Sequence, residues 1–421
     1  MTRAKLIIAA GFTGSLGWGA ILPYQYAYVV ESRQWGPTAG VLTGTLFCIG
    51  AIVAAPFAGR LADRYSAARL AIAFELLAAG SAIAMGAAGS IQLFLASIFV
   101  FGAAVTAASP ATQVMVLACV RPEQRRAIFA YQFTAMALGM AGGAFAAGWL
   151  VDLDAPSGMW PAFAAAAGGF LLSAALVYAA SRSTAAGRTE SPMSGRESLP
   201  SAPTGRSAYR ALAANRPVRL LALVSMLLAA GFYAQFETGL PAFALTSLQV
   251  EPTTVGTAAA VNCLVIVALQ WLVVRFTGKN PGAVLLAVVG MTWVLSWLML
   301  EAALFAGAAS ASVIFVMAFG LFAVGETMFA PVLSPLAASL APDGLVGTTL
   351  GALAALRTGI SAAGPLVAGL LITAGLPHVF VLVHVAINAA AVALAWRLWS
   401  VQRADSVEVD NVPIEVRSVR V

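Results

Sequence analysis

The sequence predicts an all-α membrane protein: twelve transmembrane helices in two pseudo-symmetric six-helix bundles. Three observations lead there. Of 421 residues, 61% are hydrophobic and only 10% charged, whereas soluble chains are about one-quarter charged. Polar islets cut the chain into twelve apolar pieces of roughly 20 to 30 residues, each long enough to cross a bilayer with some tilt. One polar stretch divides the pieces six and six, and short motifs recur in both sets.

Spans 1 to 6 fall at about 6–30, 38–58, 70–88, 91–118, 127–150 and 159–181. Spans 7 to 12 fall at about 217–245, 253–274, 282–304, 310–340, 347–373 and 377–400. Lipid offers no partner to a peptide group, so each span is a helix. Span 1 reads as a permanent span, because no small-residue cleavage site closes it and many like it follow.

The basic residues set the orientation. Placing both termini in the cytoplasm puts Arg3 and Lys5, Arg60, Arg64 and Arg69, Arg121, Arg125 and Arg126, Arg275 and Lys279, the linker arginines and the C-terminal arginines on that side. All 23 Lys and Arg except Arg33 and Arg357 follow the positive-inside rule. The net charge of +6 is therefore a topology signal and implies no nucleic-acid partner. Trp35, Trp149 and Trp160 sit at outer boundaries, and Trp396 and Trp399 near an inner one, as belt residues do.

Residues 182–216 are rich in Ser, Thr, Gly, Pro and Arg and are expected to form a flexible cytoplasmic linker between bundles 1–181 and 217–400. The tail 401–421 is polar and expected to be disordered. The three cysteines, Cys48, Cys119 and Cys263, are scattered. They imply no disulfide framework, metal site or cofactor.

The halves repeat. Leu22-Pro23 recurs as Leu240-Pro241, Arg60 matches Arg275 when Cys48 is laid on Cys263, and Gly143 to Gly148 matches Gly364-Pro365 to Gly369. Repeated bundles with a site between them are a common plan of secondary transporters.

The islet after span 2 carries the most specific motif. Gly59, Leu61, Ala62, Asp63, Arg64 and Tyr65 match the pattern Gly-x-Leu-(Ala/Gly)-Asp-Arg-(Tyr/Phe)-Gly-Arg-(Arg/Lys), while Ser66, Ala67 and Ala68 depart from it. On these residues the chain resembles the major facilitator superfamily over its whole length except linker and tail. In span 5, Gly139, Gly143 and Gly148 resemble that family's antiporter motif, with Ala144 for its proline and Ala147 for a glycine. Small residues every four positions also serve plain helix packing. The span 4 arginine of proton-driven exporters is missing; Ile98 stands there. Gly325-Glu326 to Pro331 and Ala341-Pro342 look like bacterial multidrug exporters.

The resemblance implies a cytoplasmic gate at Gly59, Asp63 and Arg64. Asp63 can face the start of span 11 near Gly347-Thr348-Thr349, where free N–H groups favour an anion. It also implies that spans 1, 4, 7 and 10 line a central cavity. The candidates there are Trp18, Tyr24, Gln25, Tyr28, Gln113, Gln132, Phe232, Tyr233, Gln235, Met328 and Phe329. Such an aromatic, amide-rich lining suits amphipathic or lipophilic molecules.

Ionisable residues inside spans are functional candidates by default. Glu326 lies near the middle of span 10, Glu237 in span 7 four residues before Pro241, and Arg357 about ten residues into span 11. Either acid could take a proton while Arg357 tunes it, or Glu326 and Arg357 could form a fixed ion pair. Glu75, Glu301, His378 and His384 read as structural.

The expected function is proton-coupled efflux of lipophilic or amphipathic small molecules by alternating access, driven by the proton gradient. The alternative is a carrier for a single metabolite. No span carries a paired-His or Ser/His/Asp constellation, so no enzyme is expected. A monomer is expected in the bacterial inner membrane, with both termini cytoplasmic.

Overall fold

A computed structural model describes residues 2–182, 206–236, 239–278 and 280–410. Among these residues twelve helices are long and apolar enough to cross a membrane. The first six are Arg3–Ile21, Thr38–Arg64, Ala67–Ala87, Ile91–Cys119, Pro122–Leu150 and Trp160–Arg182. The second six are Arg216–Phe236, Thr253–Thr277, Gly282–Ala303, Ala308–Leu340, Val346–Thr373 and Pro377–Ala404. They keep the names span 1 to span 12.

Local chemistry sets the helix ends. Ser90 caps span 4 by accepting from Leu93 N–H at 3.4 Å, and Asn215 caps span 7 by accepting from Val218 N–H at 3.1 Å. The outer surface carries large apolar side chains such as Phe145 and Trp149, 73% and 82% exposed. That surface is matched to lipid rather than water.

Four segments differ from the sequence expectation. Span 1 stops at Ile21, turns at residues 22–24, and resumes as a short helix Gln25–Ala27 and a π-helical turn Tyr28–Ser32. Pro23 explains the break, since it lacks an N–H and crowds the preceding turn. Span 7 stays continuous but carries a π-helical turn, Ala229–Tyr233, a feature often found at functional sites. Within the expected linker, Arg206–Ala214 is helical, with Ala208 and Leu212 packed on Val218 and Leu345. The last helix runs on to Asp410, into the expected tail.

The halves pack alike. In the first, span 1 meets 5 and 6, span 2 meets 4, and span 3 meets 4 and 6. In the second, span 7 meets 11 and 12, span 8 meets 10, and span 9 meets 10 and 12. The two sets correspond pair for pair when six is added to each number. Between the halves, span 2 meets span 11 and span 5 meets spans 8 and 10.

The start of span 1 and the end of span 6 lie on one side, the terminal side: Arg3 donates to the Ala180 carbonyl, 3.1 Å away. On this terminal side one continuous core joins Ile7, Met115, Val116, Phe129 and Val177 of the first half to the second half. Tyr28, Phe94, Phe163 and Phe170 form a separate core on the far side of the first half. The halves are thus fused at the terminal side and hold separate cores beyond it.

Candidate functional site

Two seams close the terminal side. At the first, Asp63 ends span 2 against the start of span 11. Its Oδ1 accepts from Gly347 N–H at 2.6 Å, and its Oδ2 accepts from the Thr348 N–H and hydroxyl, each at 2.6 Å. The first amides of a helix lack internal partners and the dipole favours an anion there, so these are strong charge-assisted bonds. Glycine allows the approach: a Cβ on Gly351 would lie 2.6 Å from the Ala55 oxygen, and one on Gly59 would collide with the Gly347 carbonyl. Arg64, beside Asp63, is exposed.

At the second seam Arg126, in the first turn of span 5, donates to the carbonyls of Thr277 and, at 2.5 Å, Asn280, where span 8 ends. A cation at a helix C-terminus is the electrostatic mirror of the first seam. Further along, the Thr134 hydroxyl donates to Gln270 Oε1. The helix Arg206–Ala214 lies over the first seam. Tyr209 donates its hydroxyl to the Pro56 carbonyl at 2.8 Å, and the Arg60 guanidinium sits 5.4 Å from its ring. Burial raises the pKa of this phenol and the Arg60 charge lowers it, with Asp63 raising it again.

Between the halves lies a cavity of about 340 Å³, within the range of small-molecule sites. Of the sequence candidates, Trp18, Gln113, Gln132, Tyr233, Phe329 and Arg357 line it. Gln113 donates to Ser109 Oγ at 2.9 Å.

The other candidates lie elsewhere. The break at Pro23 carries Tyr24, Gln25 and Tyr28 out of the cavity. Tyr24 donates to the Ala144 carbonyl and Tyr28 to the Pro156 carbonyl, each at 3.2 Å. Phe232 is buried in an aromatic core, stacked on Phe322 at 4.7 Å, and Met328 belongs to the same core. Gln235 is buried and donates to the Gly364 carbonyl at 3.3 Å. Gly139 and Gly143 seat span 5 on span 1: a Cβ on either would collide with the carbonyl of Phe12 or Leu16. Gly364, which precedes Pro365, packs likewise on Ala234, and a Cβ on Gly148 would meet the Tyr24 hydroxyl at 2.9 Å.

The charged candidates separate. Glu326 does not line the cavity; its Oε2 accepts from Asn262 of span 8 over 3.5 Å. It makes no ion pair with Arg357, whose guanidinium lies 5.4 Å from the Phe329 ring centroid and lines the cavity. Glu237 lies outside the described residues.

Sequence reasoning missed Glu75 of span 3 as a cavity residue. It lines the cavity beside Gly14 and Ser173. Its Oε2 is buried and finds no partner within bonding geometry, although the Ser173 hydroxyl is its neighbour. A depth signal was available. Span 3 starts at Ala67 and not at 70, which places Glu75 about 12 Å along the helix at 1.5 Å per residue. His378 pairs with Glu301 at 2.7 Å, and His384 stacks on Trp297 at 4.4 Å, both away from the cavity.

The sequence profile of the Major Facilitator Superfamily matches residues 7–303. No curated protein matches the chain by sequence. Among solved structures the chain is similar to the human organic anion transporter MFSD10 (TETRAN), at 17% identity and TM-score 0.71, over 94% of this chain and 99% of that one. It is similar to the E. coli fucose:proton symporter FucP, at 14% identity and TM-score 0.70, over 94% and 98%. A bacterial homologue of the iron transporter ferroportin, in its outward-facing state, aligns at 16% identity and TM-score 0.70, over 95% and 100%. At these identities the likeness is one of fold.

Proposed function

The chain belongs to the Major Facilitator Superfamily, and on that premise we propose that it is a proton-coupled secondary transporter moving amphipathic small molecules by alternating access. The observation that carries this reading is the cavity: both halves line it, its wall includes seven aromatic rings and two amides, and among the described residues it holds one buried carboxyl group, Glu75. A carboxyl inside a membrane span is costly and marks a proton pathway more often than a packing role. Glu75 is the proton site in this reading. Glu326, turned towards Asn262, has a structural part, and Glu237 stays a second candidate from the sequence.

The arginine distribution supports a cytoplasmic terminal side, and the two seams then close the cytoplasmic gate. Efflux of lipophilic drugs in exchange for protons is supported by the glycine motif of span 5. Those same glycines also seat span 5 on span 1. A specific observation favours the second reading, a carrier for one metabolite: a fixed cation, Arg357, lines the cavity, and such a group selects by charge.

The test begins with an efflux-deficient bacterium expressing the chain and a compound panel, and moves to proteoliposomes holding a pH-sensitive dye. Hits should drive proton flux through wild type and Glu326→Gln, and Glu75→Gln should lose at least nine-tenths of it. Full flux in Glu75→Gln would sink the assignment.

A further inference from the structure

We infer that the cargo carries an anionic group, such as a carboxylate, and that Arg357 binds it. This rests on reading the cavity as the transport site. A guanidinium keeps its charge at any physiological pH, and a charge within a membrane span is expensive unless paired. No described acid pairs with Arg357. Glu326 faces Asn262, Asp63 is held at the start of span 11, Glu301 pairs with His378, and Glu75 belongs to the first half beside Ser173. No described acceptor takes a hydrogen bond from Arg357; its contact is the face of Phe329 at 5.4 Å. A ring face steadies a guanidinium plane but accepts none of its five N–H donors. The side chain lines the cavity, so these donors are presented to whatever enters.

The rest of the wall fixes what accompanies the anion. Trp18, Phe129, Phe133 and Phe170 offer apolar faces, and Gln113 and Gln132 offer amides. An apolar body, best with a ring, fits the aromatic faces of the first half while its anionic end pairs with Arg357 of the second. A cargo bridging both halves is what alternating access requires of a ligand that favours one state over another. A cationic amphipath would be repelled by Arg357 and loses this bridge.

Three probes with one ring system decide the matter: naphthylacetate, naphthylacetamide and naphthylethylamine. Binding is measured by equilibrium dialysis on the purified full chain in lipid nanodiscs. Wild type should bind the acetate at least about ten-fold tighter than the amide, the scale of a charge-assisted bond, and should bind the amine weakest. Arg357→Gln should make acetate and amide equal, while Arg357→Lys should keep part of the preference. Trp18→Ala should weaken acetate and amide alike. A wild type that binds the amine or the amide as tightly as the acetate overturns the inference, with or without a folded variant. So does a preference that survives in Arg357→Gln. If acetate and amide bind equally and both are lost in Trp18→Ala, the cavity remains the binding site and only the anion assignment falls. If no probe binds, or Trp18→Ala changes nothing, the cavity reading fails and takes this inference with it.

Discussion

A single carboxylate does more at the gate than the three arginines around it. Asp63 accepts three hydrogen bonds of 2.6 Å from one helix start. Asp63→Asn keeps the size but removes the charge and turns one of the two accepting oxygens into a donor. Charge-assisted bonds contribute about 1.5–3 kcal/mol against about 1 for neutral ones, so the terminal side should lose about 1–2 kcal/mol of closure. That is about a ten-fold shift in population. Spin labels on the terminal ends of spans 2 and 11, read by pulsed EPR, should show a longer-distance state; an unchanged distribution counts against a gating role. At this scale the sequence was partly legible. The motif singled out Asp63 because a carboxylate between arginines has no topological use. Trp18, Gln113 and Tyr233 were placed by their spans. Tyr24, Gln25 and Tyr28 were misplaced because a proline break turns a helix face by an amount no periodicity encodes. Glu75 was undervalued because an islet such as Tyr65-Ser66 marks a boundary only to within a few residues.

Two elements carry the first seam, the span 2–span 11 pair and the helix Arg206–Ala214 that lies over it. The pair depends on bare backbone, with Gly59, Gly347 and Gly351 stacked where a Cβ has no room. Gly59→Leu should hold the terminal side open. Transport should fall at least ten-fold, while the protein still purifies as a single species, since the rest of each bundle packs independently of this seam. Retained transport would show that the close approach is dispensable. The helix Arg206–Ala214 was invisible to composition. Its polar neighbours resemble a linker, and its few apolar residues gain a reason only from Leu345 and Val218, far away in sequence or across a turn. Tyr209→Phe removes one hydrogen bond to Pro56, about 1 kcal/mol, and should speed amide hydrogen exchange in this helix about five-fold. Exchange at the wild-type rate would mean that apolar contacts alone hold it.

The whole molecule is two bundles of like packing, joined at two seams on the terminal side. Twelve spans, their order and their pairing into halves were legible because lipid demands long apolar helices and the repeats share a pattern. The relation between halves was not, because it is written in contacts such as Arg126 to Thr277 and Asn280 that join residues with no shared motif. If the halves rock as rigid bodies, one seam cannot open alone. Labels across the span 5–span 8 seam should therefore report opening in Asp63→Asn, although that residue lies at the other seam. Movement confined to spans 2 and 11 would show local fraying in place of rocking.

The latch also has an unequal grammar. In both seams the first half supplies side chains, Asp63 and Arg126, and the second half supplies mainly main-chain amides and carbonyls. Every residue has a carbonyl and nearly every residue an amide. Sequence drift in the second half can thus change bulk at the latch but can scarcely erase what is gripped, proline at position 347 or 348 aside. The first half has no such insurance. Its two charged residues are single points of failure, and the evolutionary freedom to reshape the cavity without losing the gate should reside mainly in the second half.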